Sequence, residues 1–136
     1  MIYKDFGITG VKISSLGFGC MRLPMITVND KEVIEQEKVS EMLRRAFEFG
    51  VNYFDSAYFY NNGLSEEALG KAVKSFRDQV FISTKSPGHL IKKHGDYRRI
   101  LEEQLKRIDI DFIDFYHFHG IGYDGFFKVD KRSGWI

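Results

Sequence analysis

The chain has a single cysteine, Cys20, and only 2 prolines. One thiol excludes an internal disulfide framework and favours a reducing compartment. No charge of either sign dominates: 20 Lys+Arg stand against 19 Asp+Glu, a formal net charge of +1. With no basic block or stripe, nucleic acid is not an expected partner, and with no acidic tail there is no solvating segment. No apolar run approaches the roughly 18 residues a membrane-spanning helix needs. The opening Met1-Ile2-Tyr3-Lys4-Asp5 has neither the charged nor the apolar region of a secretory signal. The expectation is a cytoplasmic protein with no membrane partner.

What is present is ordinary for a globular domain: 136 residues, 43% hydrophobic and 29% charged. That length predicts one domain able to bury about two-thirds of its unfolded surface.

The hydrophobic pattern alternates between short apolar runs and helical stripes. Ile8 to Ser14, with Thr9-Gly10 inside, predicts a small N-terminal hairpin. Leu16 to Met21 reads as a first buried strand, closed by Pro24. A first helix is expected after Asn29-Asp30, with Val39, Met42, Leu43, Ala46 and Phe47 on one face and Gly50 ending it. Val51 to Ala57 predicts a second strand. Ser65 is the expected cap of a second helix, its Glu66 and Glu67 set against the N-terminal dipole and its stripe running Leu69, Ala72, Val73, Phe76. Val80 to Lys85 predicts a third strand. Asp96 is the expected cap of a third helix, with Tyr97, Ile100, Leu101, Leu105 and Ile108 inward. Phe112 to His119 predicts a fourth strand, broken by Gly120. The strands recur near the roughly 30-residue spacing of βαβ units and read as apolar runs rather than strict alternation, as in a parallel sheet covered on both faces.

Three of these strands end in ionisable residues. Asp55 lies near the end of the second, Lys85 ends the third, His119 ends the fourth, and Tyr60 follows the second in a loop. In a parallel barrel the carboxyl ends of the strands share one rim, where active sites are built. A phenol with its ordinary pKa near 10 is a poor acid at neutral pH. A lysine ammonium about 4 Å away favours its phenolate, an aspartate holds that lysine charged, and a histidine can hydrogen-bond a carbonyl oxygen. Such a set protonates the alkoxide formed when a cofactor's hydride reaches a carbonyl carbon.

Each residue also has a plainer reading. Asp55 and Lys85 fit a structural ion pair. Tyr60, beside Asn61-Asn62-Gly63, fits an ordinary loop aromatic, and Tyr58 is its rival. His117 and His119 share parity and point to one face, either as core histidines or as a His-x-His metal pair. His89 and His94 lie in a turn-rich, solvated segment, and Cys20 fits packing better than nucleophilic work.

Five segments taken together carry more: Leu16-Gly17-Phe18-Gly19-Cys20-Met21-Arg22-Leu23-Pro24, Asn52 to Tyr60 (NYFDSAYFY), Gly63 to Gly70 (GLSEEALG), Ser83-Thr84-Lys85 and Asp111 to Gly120 (DFIDFYHFHG). In this order and spacing they strongly resemble the aldo-keto reductase family. The resemblance implies a TIM-type (β/α)8 barrel, of which this α/β chain holds the first four βα units as a parallel half-barrel behind a short N-terminal β-hairpin. It implies NADPH-dependent reduction of an aldehyde or ketone to an alcohol, with NADH the alternative coenzyme. It makes Tyr60 the proton donor, Lys85 and Asp55 its activating pair, and His119, in preference to His117, the substrate-orienting histidine. Gly19, Cys20, Met21 and Asp55 match positions near the nicotinamide; no metal is implied.

A whole barrel takes about 250 residues and eight strands. The expectation is therefore one partial domain over residues 1–136, with residues 121–136 an irregular tail before the place of a fourth helix. In this family the coenzyme's phosphate and adenine contacts come largely from later strands. Self-association, or a complementary half, would close the barrel; a small carbonyl compound is the expected substrate. The alternatives are a non-catalytic fragment or interaction module, and a metal-dependent hydrolase on a TIM barrel using His117 and His119.

Overall fold

A computed structural model describes residues 1–122; the tail read at 121–136 lies almost wholly outside them. The chain opens with an antiparallel hairpin of β1 (Tyr3–Asp5) and β2 (Lys12–Ser14), in register Tyr3↔Ser14. Four strands then form one parallel sheet in the order β3 (Phe18–Gly19), β6 (Tyr53–Asp55), β7 (Phe81–Ser86), β8 (Phe115–Phe118). Helices α1 (Gln36–Glu48), α2 (Ser65–Val73) and α3 (His94–Ile108) link successive strands of that sheet. This is the predicted run of βα units behind an N-terminal hairpin, a partial (β/α) barrel.

Alternation along the strands sorts the two faces. Phe54 and Ile82 point toward the helices and are fully buried with Leu43, Leu69, Val73 and Ile108. Each such side chain stabilises the fold by about 1.5–3 kcal/mol relative to exposure. The other face carries Tyr53, Asp55, Ser83, Lys85, Phe115 and His117. At its amino end the Phe6 ring, from the loop of the first hairpin, meets Phe115 at 4.5 Å and Tyr53 at 6.1 Å. Asn52 ties the hairpin down: its side chain accepts from Ser14 N at 2.7 Å and donates to Lys12 O at 3.0 Å.

The first hairpin pairs Tyr3–Asp5 with Lys12–Ser14, so the piece from Ile8 that was read as its first strand lies in its loop, and the structure departs from the sequence reading again before α1, at Ser65 and at Asp96. Between Pro24 and α1 lies a second hairpin, β4 (Met25–Val28) with β5 (Lys31–Ile34), where a direct passage into the helix was expected. Its two-residue turn is Asn29-Asp30, with φ of 49° and 60°, the pair of positive values that such a turn requires. Ser65 makes no cap hydrogen bond; it is the first residue of α2 and wholly buried. Asp96 lies inside α3 rather than at its cap, yet its carboxylate still accepts the Lys92 and Lys93 N–H groups at 3.0 and 3.1 Å. Those two donors hold its carboxyl below the ordinary range. Gly50, at φ +89°, ends α1 as expected.

Asp114 extends the ladder between β7 and β8 with its side chain, accepting Ile82 N at 2.8 Å and Arg77 Nη2 at 2.7 Å. Both side chains of that pair are only 14% exposed. Asp114→Ala would remove the carboxylate that pairs with the guanidinium, which keeps Val80 O and Phe112 O, and the acceptor of the Ile82 N–H. It is expected to cost about 2–3 kcal/mol, read as a lower urea midpoint with an unchanged m-value. A loss below about 0.5 kcal/mol, typical of surface changes, would show the pair to be incidental.

Candidate active site

The carboxyl ends of β6 and β7 deliver Asp55 and Lys85 side by side. Lys85 Nζ donates to Asp55 Oδ2 at 2.6 Å and to Ser56 O at 2.7 Å. Ser83 Oγ donates to the other carboxylate oxygen at 2.6 Å, so both oxygens of Asp55 are engaged. Side-chain exposures of 18% for Lys85 and 29% for Asp55 leave the pair partly open on the sheet face away from the helices. Partial desolvation strengthens such a pair over a surface one.

Tyr60 opens a short 3-10 turn after β6, its N–H bonded to Ala57 O at 3.1 Å. The lysine Nζ lies 5.0 Å from the centroid of its ring, and the His119 ring meets that ring edge-on at 5.7 Å. His119 is held where β8 ends by its N–H to Ser86 O at 2.9 Å. Asp55, Tyr60, Lys85 and His119 are thus brought together from three strands.

The rivals go elsewhere. Tyr58 turns toward α3, donating to Glu103 Oε1 at 2.9 Å beneath the Arg107 guanidinium, 4.0 Å from its ring. Burial and that hydrogen bond raise its pKa above the ordinary phenol value. His117 Nε2 lies 3.2 Å from Tyr53 Oη. Among the described residues no group of three His, Cys, Asp or Glu is placed to hold a metal ion. His89 stacks on Phe59 at 5.2 Å, and His94 opens α3.

The Gly19-Cys20-Met21 stretch ends β3 beside Asp55, with Cys20 N donating to Asp55 O at 2.8 Å. Gly19 and Met21 are exposed, whereas Cys20 is sealed in the core. Burial, then the Asp55 charge, pushes its thiol up to about 12. The thiol therefore packs, and only the main chain of Cys20 borders the site.

Behind Lys85 lies a buried polar network absent from the sequence reading. Gln104 Nε2 donates to Glu66 Oε1 at 2.6 Å and to Lys85 O at 3.2 Å, and Thr84 Oγ1 donates to Glu66 Oε1 at 2.6 Å. Tyr116 Oη closes it on Gln104 Oε1 at 2.6 Å. Glu66 is 1% exposed, and desolvation raises its pKa above the ordinary carboxyl value. Ser83 was also missed, although it shares parity with Lys85 two residues on, and that spacing marks one strand face.

The sequence model of the Aldo/keto reductase family matches residues 15–125. The chain belongs to that family. It is 33% identical over 138 residues to L-galactose dehydrogenase of Arabidopsis thaliana, covering 96% of this chain and 41% of that protein. It superposes on the holo form of an aldo-keto reductase from Bacillus halodurans with a TM-score of 0.76 and 26% identity, over 96% of this chain and 47% of the other. An aldo-keto reductase from Klebsiella pneumoniae, solved in complex with NADPH, shares the fold at a TM-score of 0.69 and 23% identity, over 88% of this chain and 42% of that one. The chain thus spans less than half the length of these relatives. No helix among the described residues is long and apolar enough to cross a membrane.

Proposed function

We propose that this aldo-keto reductase chain carries the proton-transfer site for nicotinamide-dependent reduction of a small aldehyde or ketone to an alcohol, with Tyr60 as proton donor. The observation that carries the reading is the Asp55–Lys85 pair at 2.6 Å with the Tyr60 ring over the ammonium and His119 at the ring's edge. A structural ion pair alone would not draw a tyrosine and a histidine to its open side.

The residues suit a nicotinamide. A Cβ added at Gly19 meets nothing within 4 Å, so the strand end beside Asp55 has room for a flat ring. Asp55, Gly19, Met21 and the Cys20 main chain would border it. When bound, NADPH, or NADH in its place, supplies the hydride. His119 donates a hydrogen bond to the substrate oxygen and orients it. Tyr60 gives its hydroxyl proton to that oxygen as it becomes an alkoxide, and water returns a proton to the phenolate. The Lys85 ammonium offsets the charge left on Tyr60, and Asp55 with Ser56 O holds the ammonium there. The reducing cytoplasm is the proposed setting.

An NADPH titration of the chain, followed by fluorescence, tests the coenzyme site. Saturable binding with a Kd on the order of micromolar is expected, weakened about tenfold by Asp55→Asn, the loss of one charge-assisted hydrogen bond. No saturable binding would sink the reading for this chain and support a non-catalytic module.

A further inference from the structure

The loop that carries Tyr60 is held from one side by an amide clasp. Asn61 Nδ2 donates to Leu23 O at 3.1 Å, and Leu23 N donates to Asn61 Oδ1 at 3.4 Å. An amide carries a donor and an acceptor on adjacent atoms and so can answer both groups of a single peptide residue, and only one of its two orientations does so. Asn61 is also backbone-adapted to the place. It stands at φ 50°, ψ 50°, followed by Asn62 at φ 57° and Gly63 at φ 86°, and asparagine tolerates this left-handed region better than most residues. Four residues on, Ser65 Oγ makes a second tie to the same stretch, donating to Cys20 O at 2.7 Å. Residues 20–23 after β3 and 60–65 after β6 are therefore latched at two points.

The two ties are unequal in what they hold. Ser65 is anchored in α2 and bonded to Ser56 Oγ at 2.8 Å, so its end of the loop stays put without help. At the other end the Tyr60 main chain bonds only to near neighbours in sequence among the described contacts: its N–H donates to Ala57 O and its carbonyl accepts from Leu64 N. Asn61 is the next residue, and its clasp fixes the direction in which Tyr60 leaves the strand. We infer that Asn61 is a positioning residue: by gripping Leu23 it sets the Tyr60 ring over Lys85 and against His119, in register with the strand end at Gly19 to Met21. The catalytic side of this inference rests on Tyr60 being the proton donor.

Asn61→Gly separates grip from backbone, because glycine adopts the left-handed conformation freely and has no amide. Asn62→Gly is the control: it makes the same change one residue further on, at an exposed position. The first readout needs no turnover: NMR contacts between the Tyr60 and His119 rings in the labelled chain. Asn61→Gly should lose most of that contact intensity while Asn62→Gly retains it, with both variants melting near the parent. The second readout is kinetic: kcat for a carbonyl substrate should fall about tenfold or more in Asn61→Gly, with NADPH affinity changed less than about twofold. Asn61→Asp, which keeps the Leu23 N–H acceptor but sets an oxygen against Leu23 O, should not rescue. Ring contacts in Asn61→Gly equal to the parent's would overturn the inference. A chain that turns over no carbonyl would count against the catalytic reading alone, since the ring contacts still judge the clasp.

Discussion

Tyr60→Phe is expected to lower carbonyl turnover by roughly a hundredfold to ten-thousandfold, the range that a positioned proton donor contributes, while leaving coenzyme affinity nearly unchanged. The substitution removes one oxygen and keeps the ring that packs against Lys85 and His119. Folding should barely register it. A loss shared equally between kcat and kcat/KM would mark an interaction made only in the transition state. Lys85→Met should fall comparably, since it removes the cation beside the phenol and leaves Asp55 facing Ser83 alone. Tyr58→Phe is the informative control. Tyr58 donates to Glu103 on the helix side of the site, so its hydroxyl should matter to stability by about 1 kcal/mol and to turnover hardly at all. A Tyr60→Phe variant with near-parent kcat, in an assembly that does reduce a carbonyl, would remove the central claim.

The contrast between the two tyrosines shows what was legible in the sequence. Asp55, Lys85 and His119 could be placed together because they end parallel strands, and parallel strand ends converge on one rim. Tyr60 could not be separated from Tyr58 by the same rule. The loop's direction depends on consecutive left-handed residues and on Glu103 and Arg107, more than forty residues away. The hairpin at Met25–Ile34 was readable in principle: Asn29-Asp30 divides two short β-branched runs, a recognised two-residue turn. Its two four-residue runs are too short to carry a periodic signal as strong as the helical stripe that follows. Ser65 and Glu66 failed for a different reason. By local rules a serine and a glutamate opening a helix are a cap and a dipole partner. Here tertiary contacts override the local preference, and both face inward to Cys20 O, Thr84 and Gln104. No periodicity reveals that a polar pair in the first turn is buried, because burial there depends on where α3 crosses.

That crossing is fixed at Gly70, and Gly70→Ala is expected to be the most destabilising single-methyl change among the described glycines. A Cβ at Gly70 would stand 1.8 Å from Ile108 O and 2.6 Å from Ile108 C, both main-chain atoms. No rotamer relieves such a clash; α2 and α3 must separate. Their contact holds Leu69, Val73 and Ile108, all buried to 1% exposure or less, and the Glu66–Gln104 hydrogen bond that spans the two helices. Overpacking alone costs about 1–3 kcal/mol, and loosening the buried Glu66–Thr84–Gln104 hydrogen bonds adds to it. The sum is on the order of 3–4 kcal/mol, a large part of the 5–15 kcal/mol that typically separates folded from unfolded chains. In melting temperature this is a fall of roughly ten to twenty degrees for a domain of this size. Gly95→Ala, in the first turn of α3, is the matched comparison, since a Cβ there meets nothing within 4 Å. Helix propensity then acts alone, and a gain of up to about 1 kcal/mol is expected. The same substitution in two touching helices should therefore change stability in opposite directions, because the sign follows what the added carbon meets. Equal small shifts at both positions would mean that the helices do not cross at Gly70, and that the network behind Lys85 is held in some other way.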